Sequence, residues 1–308
     1  MECLSPICLQ NETSKLQMRY HSNYRYVPCG RCPACIDRKR KEWMFRLKQE
    51  VKYSLNVWFV TLTYNDGNLP RNSLGYPCFN KRHIQLFLKK LRKDMESEYK
   101  KMNTKVRLRY FIVPEYGSKF GRPHYHGIFF NIPPDYDFVL GVMKHWQYGF
   151  TRTDDTSEES YGRISYLSNY IYGRCEEMPE TNIDEQNKLF ILSSRKPGIG
   201  SSYLTKEMIQ WHIDDLRNFC LDNGFYYPIP RFYKDKIFSE EEKELIWHQV
   251  EKSIKENKAK LIAEEAARYQ KYGGRLNALS VERRANFLRK FQNKVKKHNN
   301  ENAINKEL

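Results

Sequence analysis

Hydrophobic and polar positions along this chain switch repeatedly between a period of two and a helical period. Val57-Trp58-Phe59-Val60-Thr61-Leu62-Thr63-Tyr64 is dense in β-branched and aromatic residues, and Asn65-Asp66-Gly67-Asn68 follows it with turn chemistry, which predicts a strand over 57–64. Behind Asn80, a helix-capping residue type, the apolar Ile84, Phe87, Leu88, Leu91 and Met95 fall at helical spacing. Lys89, Lys90, Arg92 and Lys93 fill the rest of that helix. Residues 36–53 read as a second amphipathic helix, with Trp43, Met44, Phe45 and Leu47 set among Arg38, Lys39, Arg40, Lys41, Arg46, Lys48 and Lys52. Two further strands are predicted, over about 107–116 and 124–131, joined by 117–122. After Pro133-Pro134 come a short helix (about 135–145), a strand (147–154) and a helix (about 160–173).

The order β-α-β-β-α-β-α predicts an α+β fold. Its expected form is a split βαβ, ferredoxin-like antiparallel sheet with helices on one face, not a doubly wound parallel sheet. The expected organisation is a cysteine-rich element plus basic helix over 1–55, a core over 56–175, a mixed accessory segment over 176–238 and a charged helical tail over 239–308. No internal repeat is visible.

Net charge narrows the partner. Lys and Arg number 53 against 37 Asp and Glu, a formal charge of +16, which favours a polyanion: nucleic acid first, an anionic membrane surface second. No apolar run approaches the roughly 18 residues that span a bilayer, and Met1-Glu2-Cys3-Leu4-Ser5-Pro6 lacks the basic-then-apolar start of a secretory signal. A soluble cytosolic protein with no membrane partner is expected. In that compartment the eight cysteines are thiols or metal ligands before they are disulfides.

The chemistry concentrates in Arg122-Pro123-His124-Tyr125-His126-Gly127 and in Tyr166-Leu167-Ser168-Asn169-Tyr170. On a strand, residues i and i+2 share a face, so His124 and His126 can offer two imidazoles to one divalent metal while Tyr125 faces away. A hairpin through 117–122 brings Glu115 towards His124. Two imidazoles and a carboxylate with open positions suit Mg²⁺ or Mn²⁺ acting on a phosphate. A histidine pair is also what an ordinary half-buried strand can carry, so the carboxylate and the tyrosines decide between the readings. Tyr166 and Tyr170 sit one helical turn apart, with both phenols on one face. A phenol titrates near 10, so a metal, base or cation must stabilise the phenolate before it attacks at neutral pH. Tyr161 and Tyr172 flank the pair as packing residues, and with 22 tyrosines in the chain many must simply pack.

Cys29-Gly30-Arg31-Cys32-Pro33-Ala34-Cys35 places three thiols at a spacing that a tight turn can aim at one ion, and Cys3 or Cys8 can complete a structural zinc site. The alternative is a set of reduced, buried thiols. No redox motif accompanies them to suggest an iron–sulfur cluster. Cys78, Cys175 and Cys220 are scattered packing candidates. Charge runs are usually solvated faces, and much of 81–101 fits that description. Arg38 and Arg40 differ because they follow the cysteine turn, which can anchor their helix against phosphates. Trp58, Phe120 and Trp146 are candidates for stacking on unpaired bases or for the core.

Together these segments resemble the HUH endonucleases, and within them the rolling-circle replication initiators of microvirus-type, gokushovirus-like single-stranded DNA phages. Phe59-Val60-Thr61-Leu62-Thr63-Tyr64 is similar to the family's first motif. Glu115-Tyr116-Gly117 with Gly121-Arg122-Pro123-His124-Tyr125-His126-Gly127 is similar to its metal motif, and Tyr166 to Tyr170 to its two-tyrosine motif. The likeness extends to Ser194-Arg195-Lys196-Pro197-Gly198-Ile199-Gly200, about two thirds of the chain. It implies an HUH-type fold and a transesterification on single-stranded DNA. One tyrosine attacks the scissile phosphate of a viral origin, a 5′-phosphotyrosine forms, and a host polymerase, with a host helicase, extends the freed 3′-OH. The second tyrosine then cleaves the regenerated origin and the circle is closed, in the cytoplasm of a bacterial host. Arg122, Arg174, Arg195 and Lys196 are the phosphate-contact candidates. The family commonly has a lysine three residues after the second tyrosine; this chain has Gly173 there, with Arg174 next. The competing expectations are a zinc-bearing nucleic-acid-binding regulator without catalysis, and a relaxase or transposase of the same superfamily.

Overall fold

The structure, a computed structural model, describes residues 3, 7–10, 12, 23–30, 32–103, 106–117, 121–156, 162, 164, 190–250, 252, 256 and 263. The chain divides into two compact units, one formed by Lys39–Tyr203 and the other by Met1–Arg38 with Leu204–Leu308. Among the described residues no helix is long and apolar enough to cross a membrane.

In chain order the elements are β1 (Ile7–Gln10), β2 (Tyr24–Val27), α1 (Pro33–Lys52), β3 (Val57–Tyr64), α2 (Lys81–Asp94), α3 (Glu96–Lys101), β4 (Arg109–Tyr116), β5 (Pro123–Phe130), α4 (Phe138–His145), β6 (Gly149–Asp155) and β7 (Leu192–Ser193). They continue with α5 (Lys206–Asp214), β8 (Phe219–Asp222), β9 (Phe225–Pro228) and α6 (Arg231–Ile237), and residues 240–250 are helical. Helix starts follow side-chain capping. Asn80 accepts hydrogen bonds from the backbone N–H groups of Arg82 and His83, and Asp137 accepts from Leu140, so α4 begins at Phe138, just beyond the Pro133-Pro134 turn.

Strands of the Lys39–Tyr203 unit form one antiparallel sheet of order β6-β3-β5-β4-β7. β5 is central. Its partner β3 precedes α2, and its other neighbour β4 is joined to it by a hairpin, so the β3-α2-β4 connection straddles β5 and the β5-α4-β6 connection straddles β3.

One face carries Val60, Leu62, Tyr64, Ile112, Tyr125 and Phe129, packed with Ile84, Phe87, Leu88 and Leu91 of α2 and Phe138 and Val142 of α4 into a single core. The opposite face is also covered in part, since Trp43 of α1 lies against Phe111 with ring centroids 4.6 Å apart. Helices therefore sit on both faces, where the sequence predicts one. The reason is β3 itself: Phe59 and Val60 point in opposite directions and both are buried, so each face needs apolar cover.

The loop after β7 is held from inside. The Arg109 guanidinium donates to both carboxylate oxygens of Glu50 and to the carbonyls of Pro197 and Gly198, at 2.9 Å each for the carbonyls. Gly200 N–H donates to Glu50 at 2.6 Å. Neither side chain of the pair is more than 13% exposed.

In the other unit, β1 and β2 form one antiparallel hairpin and β8 and β9 another, with His212 of α5 fully buried and its Nδ1 2.7 Å from the Arg217 carbonyl. Cys78 and Cys220 are buried, as packing residues should be. Cys175, the helix expected at 160–173 except for residues 162 and 164, and the tail beyond 250 except for 252, 256 and 263 lie outside the described residues.

Removing one member of a buried ion pair strands the other, at a cost of about 3–5 kcal/mol. Glu50→Ala is expected to lower the urea midpoint of unfolding by that order without changing the slope, and a midpoint within error of the parent would show that Arg109 finds other partners.

Candidate metal and nucleic-acid site

The antiparallel register aligns side chains from four strands into rows. Thr63 pairs with His124 and with Phe150, and His124 pairs with Glu115, giving the row Phe150–Thr63–His124–Glu115 on one face. One step along, Arg152, Thr61, His126 and Val113 form the next row. Tyr125, between the histidines, points to the other face and is fully buried.

Both imidazoles are anchored through the same atom. Nδ1 of His124 lies 3.0 Å from the Thr63 hydroxyl and Nδ1 of His126 lies 3.1 Å from the Thr61 hydroxyl. A ring whose Nδ1–H donates to a threonine oxygen keeps the Nε2 lone pair for a metal, which is how outer partners set the tautomer of metal-binding histidines. Phe59 stacks on His126 at 5.9 Å and fixes the ring from below. The two imidazole centroids are 6.4 Å apart.

Glu115 is opposite His124 in register, yet its carboxylate accepts from Nε2 of His126 at 2.9 Å. The sequence predicts the nearer partner; the carboxylate takes the diagonal one instead. The Nε2 edge of His124 lies against Gly117, where an added Cβ would meet Nε2 at 2.6 Å, so only glycine leaves room for this ring. Glu115 and His126 thus share a proton where a divalent ion would take both atoms as ligands. The donor set fits such an ion: two nitrogens with oriented tautomers and one carboxylate at the partly exposed end of the sheet.

Behind the face, Tyr64 and Tyr125 hydroxyls are 3.1 Å apart, Tyr125 Oη accepts from the Asn80 N–H at 2.8 Å, and Tyr64 Oη is 3.1 Å from Nδ1 of His83. Burial, first of all, pushes the phenols of Tyr64, Tyr116 and Tyr125 upward, that of Tyr125 to about 12. These phenols stay protonated and face away from the histidines. Among the described residues of β3 to β6, no tyrosine shares the histidine face. Tyr166, Tyr170, Tyr161, Tyr172, Gly173 and Arg174 lie outside the described residues.

The remaining candidates fall in several places. Arg122 is tied down, donating to the Tyr64 carbonyl at 2.8 Å and to Asp66. Arg38 is exposed, and Arg40 Nη1 donates to Met44 Sδ at 3.3 Å. Arg195 and Lys196 are exposed on the loop pinned by Arg109. Trp58 packs against Phe138 and Trp146 is buried, so both belong to the core; Phe120 lies outside the described residues. The sequence reading missed Thr61 and Thr63 as orienting groups, although their i, i+2 spacing mirrors that of the histidines. It also missed Phe150, which is 69% exposed on the histidine face. An exposed ring on an otherwise polar row is a surface on which an unpaired base can stack.

In the other unit, Cys3, Cys29, Cys32 and Cys35 bring four sulfurs within 4.8 Å of one another, the only such group of metal-ligand atoms among the described residues. Cys3 Sγ is 3.5 Å from Cys29 Sγ and 3.7 Å from Cys32 Sγ. A zinc tetrahedron with bonds of about 2.3 Å has sulfur–sulfur edges of about 3.8 Å. Gly30 at φ +73° makes the turn that aims Cys29 and Cys32 together, and Cys29 N–H and Cys32 N–H donate to Cys3 and Cys29 sulfurs at 3.3 Å each. Burial, chiefly, with Cys32 and Cys3 adding to it, raises the Cys35 thiol to about 12, so only a cation there would favour its thiolate. Cys8, the other candidate for fourth ligand, is exposed on β1. These four cysteines can hold a metal such as zinc.

Comparison with known proteins agrees with this picture. Replication-associated protein ORF2 of Spiroplasma virus 4 is 28% identical over 263 residues, spanning 77% of this chain and 80% of that protein. Replication-associated protein VP4 of Bdellovibrio phage phiMH2K is 28% identical over 224 residues, spanning 68% of this chain and 66% of its own. Replication-associated protein ORF4 of Chlamydia phage 1 is 24% identical over 235 residues, and this chain spans 55% of that longer protein. No solved structure matches. A family model described as replication-associated protein of the ORF2 type matches residues 57–173, a span that opens on the first residue of β3 and contains both threonines, Glu115 and both histidines. Over those residues the chain belongs to the ORF2-type family of replication-associated proteins.

Proposed function

We propose that this protein is a replication initiator that nicks and rejoins single-stranded DNA at a phage origin by metal-dependent transesterification through a 5′-phosphotyrosine, within an HUH-type, ferredoxin-like fold. The observation that carries the reading is the pair of threonine-anchored histidines with Glu115 on one open sheet face. The strand order, with each β-α-β connection straddling a central strand, supports the fold. The relatives support the replication context over a relaxase or transposase.

His124, His126 and Glu115 would hold Mg²⁺ or Mn²⁺. When bound, such an ion polarises a phosphate oxygen and offsets the charge that develops there. Thr61 and Thr63 hold each imidazole in the tautomer with Nε2 as ligand, and Phe59 and Gly117 fix where the rings lie. Phe150 offers its face to a base beside the row. The nucleophile is assigned to Tyr166 and Tyr170: a phenolate oxygen attacks phosphorus, the bond to the 3′-oxygen breaks, and that oxygen leaves as a 3′-OH that a host polymerase, assisted by a host helicase, can extend. Reversal of the same exchange rejoins the strand without ATP, since the phosphodiester's energy is kept in the protein link.

His124→Ala or His126→Ala is expected to abolish Mn²⁺-dependent nicking while leaving DNA affinity within a few-fold, because phosphate contacts elsewhere supply binding. Thr61→Val and Thr63→Val should weaken metal affinity by about 10–100-fold and keep the fold. Full nicking by the double histidine variant sinks the site.

Incubation with an origin oligonucleotide should yield a protein–DNA adduct that survives denaturation. Tyr166→Phe or Tyr170→Phe alone should retain some adduct and the double variant none, since phenylalanine has no attacking oxygen. Adduct mapped to Tyr161 or Tyr172 would move the nucleophile.

Cys3, Cys29, Cys32 and Cys35 are assigned a structural zinc. Purified protein should contain about one zinc per chain, lost on chelation together with thermal stability and bound more weakly as pH falls, because protons compete for the thiolates. Unchanged melting after exhaustive chelation would leave the cysteines as packed thiols.

A further inference from the structure

We infer that the trough between α2 and the β7 edge is a second DNA-binding site, which takes the phosphate backbone of a stretch of strand other than the one at the histidines. It lies wholly within the Lys39–Tyr203 unit, and it rests on the reading that the substrate is DNA. One wall is a stripe of α2: Lys81, Lys89 and Lys93 follow at four- or eight-residue intervals, with Arg92 beside them. That stripe rises about 18 Å along the helix, long enough to face several phosphates. The other wall is Arg195 and Lys196. Between them the cavity measures about 1060 Å³. Its floor includes Tyr110, whose ring carries the Arg92 guanidinium at 5.2 Å.

Stability gives no reason for this arrangement. Glu96 is the acidic residue lining the trough, and it is paired with Lys100 at 3.1 Å. None of Lys89, Lys93, Arg195 and Lys196 has an acidic partner among the described residues, and crowding like charges costs the folded state. The other carboxylate of α2, Asp94, is engaged by Tyr136, Lys144 and His145. A merely solvated helix face would not meet two further cations from a segment a hundred residues on. Those two are held in place, because Arg109 clamps the adjoining Pro197 and Gly198 carbonyls while itself fixed by Glu50.

The trough is separate from the histidine site. Tyr110 and Ile112 of β4 face α2, whereas Phe111, Val113 and Glu115 face the other way. Arg109 and Glu115 are six residues apart on β4, roughly 20 Å of extended strand. A strand bound at both places would pass round the short β7 edge.

The test is metal-free binding of a fluorescent oligothymidylate of about 30 nucleotides, several times the smallest single-strand site sizes, to the full-length protein across a salt series. Neutralising Lys89, Lys93, Arg195 and Lys196 to alanine should reduce the slope of log K against log salt by about 2–3, at roughly 0.7 per phosphate contact, and weaken binding at least tenfold near physiological salt. A control variant with Arg82, Lys90, Lys101 and Lys144 changed to alanine loses the same charge outside the trough and should keep most of the slope. The proposal is overturned if the trough variant binds as the parent does, or if both variants lose slope equally, which would reduce the trough to its share of net charge. Circular dichroism melting confirms that both variants are folded. Because no metal is present, this readout is independent of nicking: loss of the cleavage reading would leave it standing, and its failure would leave the histidine site untouched.

Discussion

Everything at the candidate site depends on the two-residue repeat of β5 held in register between β3 and β4. With β5 central, a slip of one residue would bury both histidines against α2 and turn Tyr125 outwards. Tyr125 prevents the slip. Its ring is enclosed by Tyr64, Phe79 and Trp146, and its hydroxyl is met by Tyr64 and Asn80, so no other side chain of β5 could occupy that place without a clash or an unpaired polar group. The residue between the histidines is thus the peg that keeps them facing outwards.

The same register explains why histidine, threonine and glutamate act together. Each strand contributes one side chain per row, so the ligands and the groups that orient them come from neighbouring strands and need no loop to position them. Glycine at 117 completes the arrangement by making room at the hairpin entrance for the edge of His124.

Much of this was legible in the chain. The β3 run, the Asn80 cap and the His-x-His alternation depend on local periodicity and capping, which a sequence displays directly, and their boundaries fall within two residues or so of expectation. The Glu115 carboxylate was expected near His124 and instead reaches His126, because diagonal preferences across a sheet depend on what crowds each ring and not on register alone. The second helical layer, over Phe111, follows from long-range packing of α1 and has no local signature. Lys89 and Lys93 read as ordinary solvated positions, since their meeting with Arg195 and Lys196 is created by β7 pairing at the sheet edge.

The topology also orders events in folding. β4 and β5 are joined by a short hairpin and can pair early, whereas β3 must close a loop that includes all of α2 before it reaches β5. Glu115 and His126 therefore belong to a local contact and the threonines to a distant one. A nascent or partly unfolded chain can bring its carboxylate and imidazoles together without yet fixing which nitrogen carries the proton. Only the closed sheet does that, so the chemistry of the histidine face would be switched on by the last strand to arrive.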